Sequence, residues 1–212
     1  MSAITKTTAE QNATMQRYYV LQSKIYDLTR WAFLFGRKSI IRQMPFQHDA
    51  PLKILEIGCG TGYNLRRMAR RFAKAQLTGM DVSSHMIQKS QQSTARFGER
   101  VRLIQEPYQL GDPRFAGSMD LVLFSYSLTM INPQWSELIE QAKKDLKPGG
   151  IIAVTDFHDS RFGWFKRHMG SNHVRMDGHL VPFLDQHFQS LKKDVKPAYG
   201  GIWHYFVYLG KA

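Results

Sequence analysis

Lys53-Ile-Leu-Glu-Ile-Gly-Cys-Gly-Thr-Gly62 is the stretch on which the reading of this chain turns. Its first five residues form a short apolar run, read as a buried strand. Glycines then stand at 58, 60 and 62, and a helix-like segment, residues 64–75, follows at once. Glycine adopts positive φ freely and lets the backbone come close to a ligand. Strand, glycine loop and helix in that order are how doubly wound α/β folds hold a nucleoside at the carboxyl ends of their strands. Nineteen residues past Gly62 stands Asp81, after a second short apolar run, Gln76-Leu-Thr-Gly-Met80. A carboxylate there can accept two hydrogen bonds from vicinal ribose hydroxyls. These features together point to an adenosine-containing cofactor.

Outward from the loop, strands and helices alternate. Leu65, Met68, Ala69 and Phe72 fall at i, i+3, i+4 and i+7 and make one apolar stripe, while Arg66, Arg67, Arg70, Arg71 and Lys74 occupy the other side. Ser83 or Ser84 caps a helix running to about Phe97. Residues 101–105 and 119–124 read as strands, the latter a near-continuous apolar run of the kind found in parallel sheets. Residues 133–146 read as a helix that Pro148-Gly149-Gly150 stops, and 151–155 as the next strand. Residues 157–190 show no clear repeat. The aromatic tail 202–209 is β-prone and pairs with a preceding strand around the turn at Gly200-Gly201. The alternation predicts an α/β fold with a mostly parallel, doubly wound sheet and right-handed crossovers.

Upstream of the loop, residues 1–10 read as a disordered tail. Residues 11–50 read as a helical cap and membrane-contact segment, ahead of a cofactor-binding domain at 51–212. Tyr18, Leu21, Ile25 and Leu28 share one helix face. The knot Trp31-Ala-Phe-Leu-Phe-Gly-Arg37 is aromatic and is followed by the basic residues Lys38 and Arg42.

Composition sets limits. The chain has 212 residues, 43% of them hydrophobic, enough for one domain with a sizeable core. Net charge is +12 and the pI is near 9.9, which favours an anionic partner, either nucleic acid or an acidic membrane surface. Cys59 is the one cysteine, so no internal disulfide and no cysteine-based zinc site can form. His168 and His173 have no convincing metal-ligand spacing, so no metal is expected. No run of 18 apolar residues is present, and the polar start of the chain shows no secretory signal; a reducing cytoplasm fits.

The glycine spacing narrows the cofactor. It is neither G-x-G-x-x-G nor a P-loop ending in Gly-Lys-Ser/Thr. Glu56 and the glycines form E-x-G-x-G-x-G, which resembles the first motif of the class I S-adenosylmethionine-dependent methyltransferases. That resemblance implies a Rossmann-like seven-stranded sheet with the last strand antiparallel, and S-adenosylmethionine as cofactor. It implies that Gly58, Cys59, Gly60 and Gly62 pack against the amino-acid part, and that Glu56 fixes the loop or the ammonium. Asp81 would hold the ribose. Val82 and Met86 would supply apolar contacts to the adenine, and Glu106, where many members have Asp, would meet its amino group. Ser125 would line the junction of cofactor and acceptor.

The segments Tyr18-Tyr19, Ile25-Tyr26-Asp27-Leu-Thr-Arg-Trp31 and Phe33-Leu-Phe-Gly-Arg37 resemble small bacterial lipid N-methyltransferases, in particular those of betaine-lipid synthesis. This implies a cytoplasmic enzyme, peripheral at the membrane, that methylates the amine of diacylglyceryl homoserine. Phosphatidylethanolamine is the alternative acceptor. Tyr19, Tyr126 and His158 are then the catalytic candidates: tyrosine faces for the developing cation, and His158, or Asp156 beside it, for the amine proton. Tyr26 counts with the cofactor-binding residues, and Arg30 or Arg37 is a partner for a carboxylate. Expected partners are a lipid substrate and an anionic membrane surface, with no nucleic acid. An RNA methyltransferase is the rival, but Phe124-Ser-Tyr-Ser127 replaces the Asn/Asp-Pro-Pro-Tyr/Phe tetrapeptide such enzymes use. A non-catalytic nucleoside-binding protein is the third class.

Overall fold

Residues 33–171 and 173–212 are described by the structure, a computed structural model. Phe35–Ala212 form one compact unit, to which the fold belongs. The expectations for residues 1–32, including those for Tyr19, Tyr26, Arg30 and Trp31, lie outside the described residues.

The quoted stretch forms β1 (Lys53–Ile57), the glycine loop and helix α2 (Tyr63–Arg71), preceded by helix α1 (Arg37–Gln43). The chain continues through β2 (Gln76–Met80), α3 (Ser84–Thr94), β3 (Val101–Ile104), β4 (Met119–Ser125), α4 (Trp135–Asp145) and β5 (Leu146–Asp159). It closes with α5 (Gly163–Ser171), α6 (Leu180–His187), β6 (Gln189–Ala198) and β7 (Trp203–Lys211). The seven strands make one sheet in the order β3-β2-β1-β4-β5-β7-β6. The first five are mutually parallel, and β7 runs antiparallel between β5 and β6. This is the expected Rossmann-like sheet.

Side chains that alternate along the strands divide the core in two. Leu55, Ile57, Val122, Phe124, Ile152, Val154, Phe206 and Tyr208 face α4 and α6. Ile54, Leu121, Leu123, Ile151, Ala153 and Val207 face α1 and α2, meeting Ile40, Leu65, Met68 and Phe72. Each such side chain, removed from water, contributes about 1.5–3 kcal/mol. The i, i+3, i+4, i+7 stripe of α2 is therefore the stripe that is buried. Among the described residues no helix is long and apolar enough to cross a membrane.

Two expectations need correction. β5 does not begin after Pro148-Gly149-Gly150; it starts at Leu146, and its register against β4 shifts between Met119 and Leu121 to absorb the irregular residues. Nor does it end at Thr155. It runs on to Asp159 because β7 supplies a partner that far, pairing Phe157 with Tyr205 and Asp159 with His204. Asp156 and His158 thus lie inside the strand, not at its end. The segment 157–190, unassigned from sequence, holds α5 and α6. Phe35, in the aromatic knot, packs its ring against Tyr199 and Tyr205 at 5.4 and 5.6 Å.

Candidate active site

β1 and β4 are neighbours whose crossovers leave in opposite directions, so a crevice opens beyond their carboxyl ends. The glycine loop lines it. Gly58 and Cys59 both donate their N–H to Met80 O at 2.9 Å, fastening the loop to the end of β2. Asp81 accepts from Gly60 N at 2.8 Å through one oxygen and from Ser83 N at 2.9 Å through the other. The carboxylate thereby joins the loop to the start of α3, where Ser83 is the N-cap. Glu56 is buried at the sheet centre and accepts from Asn64 Nδ2 at 2.7 Å, which ties β1 to α2.

The loop lies directly on the turn after β4. A Cβ on Gly58, at φ +71°, would stand 2.9 Å from Ser127 Cβ. In that turn Ser125 and Ser127 are buried, and neither hydroxyl oxygen has a hydrogen-bond partner. Asn64 Oδ1, behind the loop, is likewise buried and unpartnered. Buried polar atoms without partners are costly. Grouped here, they suit a ligand that brings donors of its own.

The remaining expected cofactor residues divide. Met86 is buried in the first turn of α3, and Val82 lies 39% exposed next to Asp81. Cys59 is buried with its sulfur beside Gly79, and burial pushes its thiol far up, so it contributes backbone and bulk, not a nucleophile. Glu106 lies beyond the end of β3, exposed and paired at 2.6 Å with Arg114, which also grips Asp112. Arg37 stacks its guanidinium 4.2 Å over the Tyr63 ring, one residue past Gly62.

On the other side of the crevice, Tyr126 has φ 58° and a buried ring 4.8 Å from Phe157. Its hydroxyl donates to Phe35 O at 2.8 Å, and burial holds the phenol neutral. Asp156 is wholly buried and accepts from Thr129 Oγ1, Thr129 N and Phe157 N. It fixes the turn Leu128–Met130 in place of facing the crevice as a base. His158 is half-buried, with an unpartnered Nδ1, and its carbonyl accepts from Gly178 N at 2.9 Å. Burial lowers its pKa, so it stays neutral at pH 7.

Sequence reasoning missed the group beside it. His179 Nδ1 is hydrogen-bonded to Asp177 Oδ1, which orients the ring, and the buried Nε2 has no partner. The signal was the run Asp177-Gly178-His179, and only the fold brings it to Gly178's contact with His158.

Asp156 titrates where it can be seen. Burial raises its pKa to about 6, so between the unfolded value near 4 and 6 the folded state holds the extra proton. Stability is expected to fall by about 3 kcal/mol as pH rises through that window. Urea titrations at intervals from pH 4 to 6.5 measure it, and the Asp156→Asn variant should lack that slope.

Residues 54–150 match the model of a family described as a methyltransferase domain. Residues 54–150 of this chain are thus a methyltransferase domain. The chain is 29% identical over 145 residues to a malonyl-[acyl-carrier protein] O-methyltransferase of Priestia megaterium, covering 66% of this chain and 50% of that protein. It is 25% identical to a ubiquinone biosynthesis O-methyltransferase of Erwinia tasmaniensis, covering 68% and 56%. The chain thus spans about half the length of these relatives. Among solved structures, the 1,6-didemethyltoxoflavin-N1-methyltransferase of Burkholderia thailandensis superposes with TM-score 0.72 at 17% identity, covering 100% of this chain and 92% of its own. That structure holds S-adenosylhomocysteine. The same fold also serves the [4+2]-cyclase SpnF, with TM-score 0.68 at 17% identity, covering 82% of this chain and 79% of its own. The residues of the methyltransferase domain fit an S-adenosylmethionine: buried acceptor oxygens at Ser125, Ser127 and Asn64 suit an ammonium, and the Asp81 carboxylate suits a ribose diol.

Proposed function

We propose that this protein is a methyltransferase that uses S-adenosylmethionine to methylate the amine of a lipid headgroup, with diacylglyceryl homoserine the foremost acceptor and phosphatidylethanolamine the next. The observation that carries the transferase reading is the single structure made by Asp81, the glycine loop and the Ser125–Ser127 turn at the switch point of the sheet. The cofactor, when bound, supplies an activated methyl group, so the chain's task is to align and to exclude water. Asp81, the glycine-loop residues, Met86, Val82 and Ser125 hold it, and Arg37, beside Tyr63, is placed to meet its carboxylate. An attacking amine must be neutral, and His158, kept uncharged by its surroundings, is the candidate to take its proton. The Tyr126 ring offers its face to a methylated cation, worth roughly 0.5–2 kcal/mol. The lipid acceptor is supported by the resemblance of the N-terminal segments and by the excess of positive charge.

A second reading is O-methylation. It is favoured by the Asp177–His179 pair, because a hydroxyl or carboxyl acceptor has a proton to lose and an oriented imidazole with an unpartnered Nε2 is the kind of group that receives it.

One experiment separates these. The protein is supplied with methyl-labelled cofactor, total lipid and total RNA, and the mixture is extracted. Label in the organic phase is the expected result, and after mild alkali, which removes the acyl chains but leaves the N–CH3 bond intact, it is recovered on a non-volatile, water-soluble headgroup. Label released by alkali as volatile methanol indicates a methyl ester, and label confined to RNA overturns the lipid reading.

A further inference from the structure

Helices α1 and α2 touch, and each turns a row of cations toward the other. Lys38 and Arg42 are i, i+4 on α1; Arg67 and Arg71 are i, i+4 on α2, with Arg70 between them. These five line one cleft of about 520 Å³, whose apolar wall is Ile41 and Phe46. His48 stands at its edge, its Nδ1 against Arg71 O. No carboxylate lines the cleft, and neither helix contains one. Among the described residues none of the five cations is in an ion pair; the nearby Asp49 reaches Lys74 instead. Arg70 feels the crowding: desolvation, then the charges of Arg96, Arg66 and Arg67, lower its pKa.

Cations held this close repel one another, and at a surface the missing counter-charge is supplied by solvent ions or by a ligand. The geometry favours a ligand with compact charge. Guanidinium forks match phosphate oxygens in pairs. A nucleic-acid strand spaces its phosphates along a line and wants a track with stacking aromatics, whereas here two rows converge on one concavity. The cleft is also apart from the cofactor crevice, because Arg70 lies eight residues beyond Gly62, about 12 Å along the helix at 1.5 Å per residue.

We propose that this cleft is a binding site for a phosphate group, presented on an anionic phospholipid headgroup or on a soluble phosphate ester, and that it anchors its ligand outside the methyl-transfer crevice. The apolar wall formed by Ile41 and Phe46 accommodates the carbon part of either.

The test uses the full chain and the double variant Arg42→Glu, Arg70→Glu. Both side chains are exposed and unpaired, so the variant keeps its fold. Each protein is titrated with inorganic pyrophosphate and floated with phosphatidylcholine vesicles with and without phosphatidylglycerol. Saturable pyrophosphate binding is expected, weakened at least tenfold in the variant, while S-adenosylmethionine titrates equally in both. Capture by phosphatidylglycerol vesicles, lost in the variant, assigns the site to a headgroup; pyrophosphate binding without capture assigns it to a soluble ester. The proposal is overturned if the parent binds neither probe, or if the variant binds both as the parent does. It is replaced by a nucleic-acid site if an RNA oligonucleotide binds in a variant-sensitive manner while pyrophosphate does not. The cofactor titration keeps a failure here distinct from a failure of the methyltransferase reading.

Discussion

Asp81→Ala should weaken S-adenosylmethionine binding about a hundredfold, read by calorimetric titration. Two hydrogen bonds from ribose hydroxyls to a carboxylate contribute about 1.5 kcal/mol each at the low end, and 1.4 kcal/mol is a factor of ten in affinity. The carboxylate has a second task, because Gly60 N and Ser83 N both donate to it. Its removal therefore also loosens the loop that contacts the rest of the cofactor. Asp81→Asn keeps one acceptor oxygen and should fall between the two. The control is Asp112→Ala, whose carboxylate is held by Arg114 and has no part in the loop. Near-normal titrations for both alanine variants would defeat the ribose assignment.

Gly62→Ala is expected to cost about 3 kcal/mol of folding stability. The residue is the N-cap of α2 at φ +74°, where a side chain costs about 1–2 kcal/mol. Space is the second problem. A Cβ would stand 2.5 Å from Ser90 Oγ, 2.7 Å from Ser93 Oγ and 3.2 Å from Ser90 Cα. The hydroxyls can rotate away, but the backbone of α3 must shift, and overpacking of this kind costs about 1–3 kcal/mol. Gly117→Ala gives the contrast: its φ is +58° with nothing within 4 Å, so only the backbone cost of about 1–2 kcal/mol remains. Denaturant midpoints measure both. Equal losses at the two sites would show that α3 does not press on the loop.

What could be read beforehand was whatever a single element encodes. β1 and β2 fall where their apolar runs place them, because a strand buried on both faces is written as a continuous run. The α2 stripe was legible for the same reason. β5 was not. Pro148-Gly149-Gly150 has the composition of a turn, and Phe157-His158-Asp159 that of a loop; what makes both part of a strand is the presence of β4 and β7 alongside. α5 and α6 were missed because each buries few side chains, Phe165 in one and Leu180, Val181 and Leu184 in the other. Within the candidate site, the glycines and Asp81 could be found because their spacing is local. The meeting of Gly178 with His158 is a tertiary event. So is the facing of Lys38 and Arg42 toward Arg67 and Arg70, for helix spacing tells which residues share a side but not what stands opposite.

The strand that fills the gap between β5 and β6 is the last of the seven to leave the ribosome. While residues 203–211 are still being made, β5 shows a bare hydrogen-bonding edge and β6 has no neighbour at all. The nascent chain therefore passes through a stage in which Phe206 and Tyr208 are missing from the core and an apolar strand is open to pairing with other chains. Any lesion in those nine residues should show itself first as poor yield and precipitation during synthesis, before it shows as slow turnover.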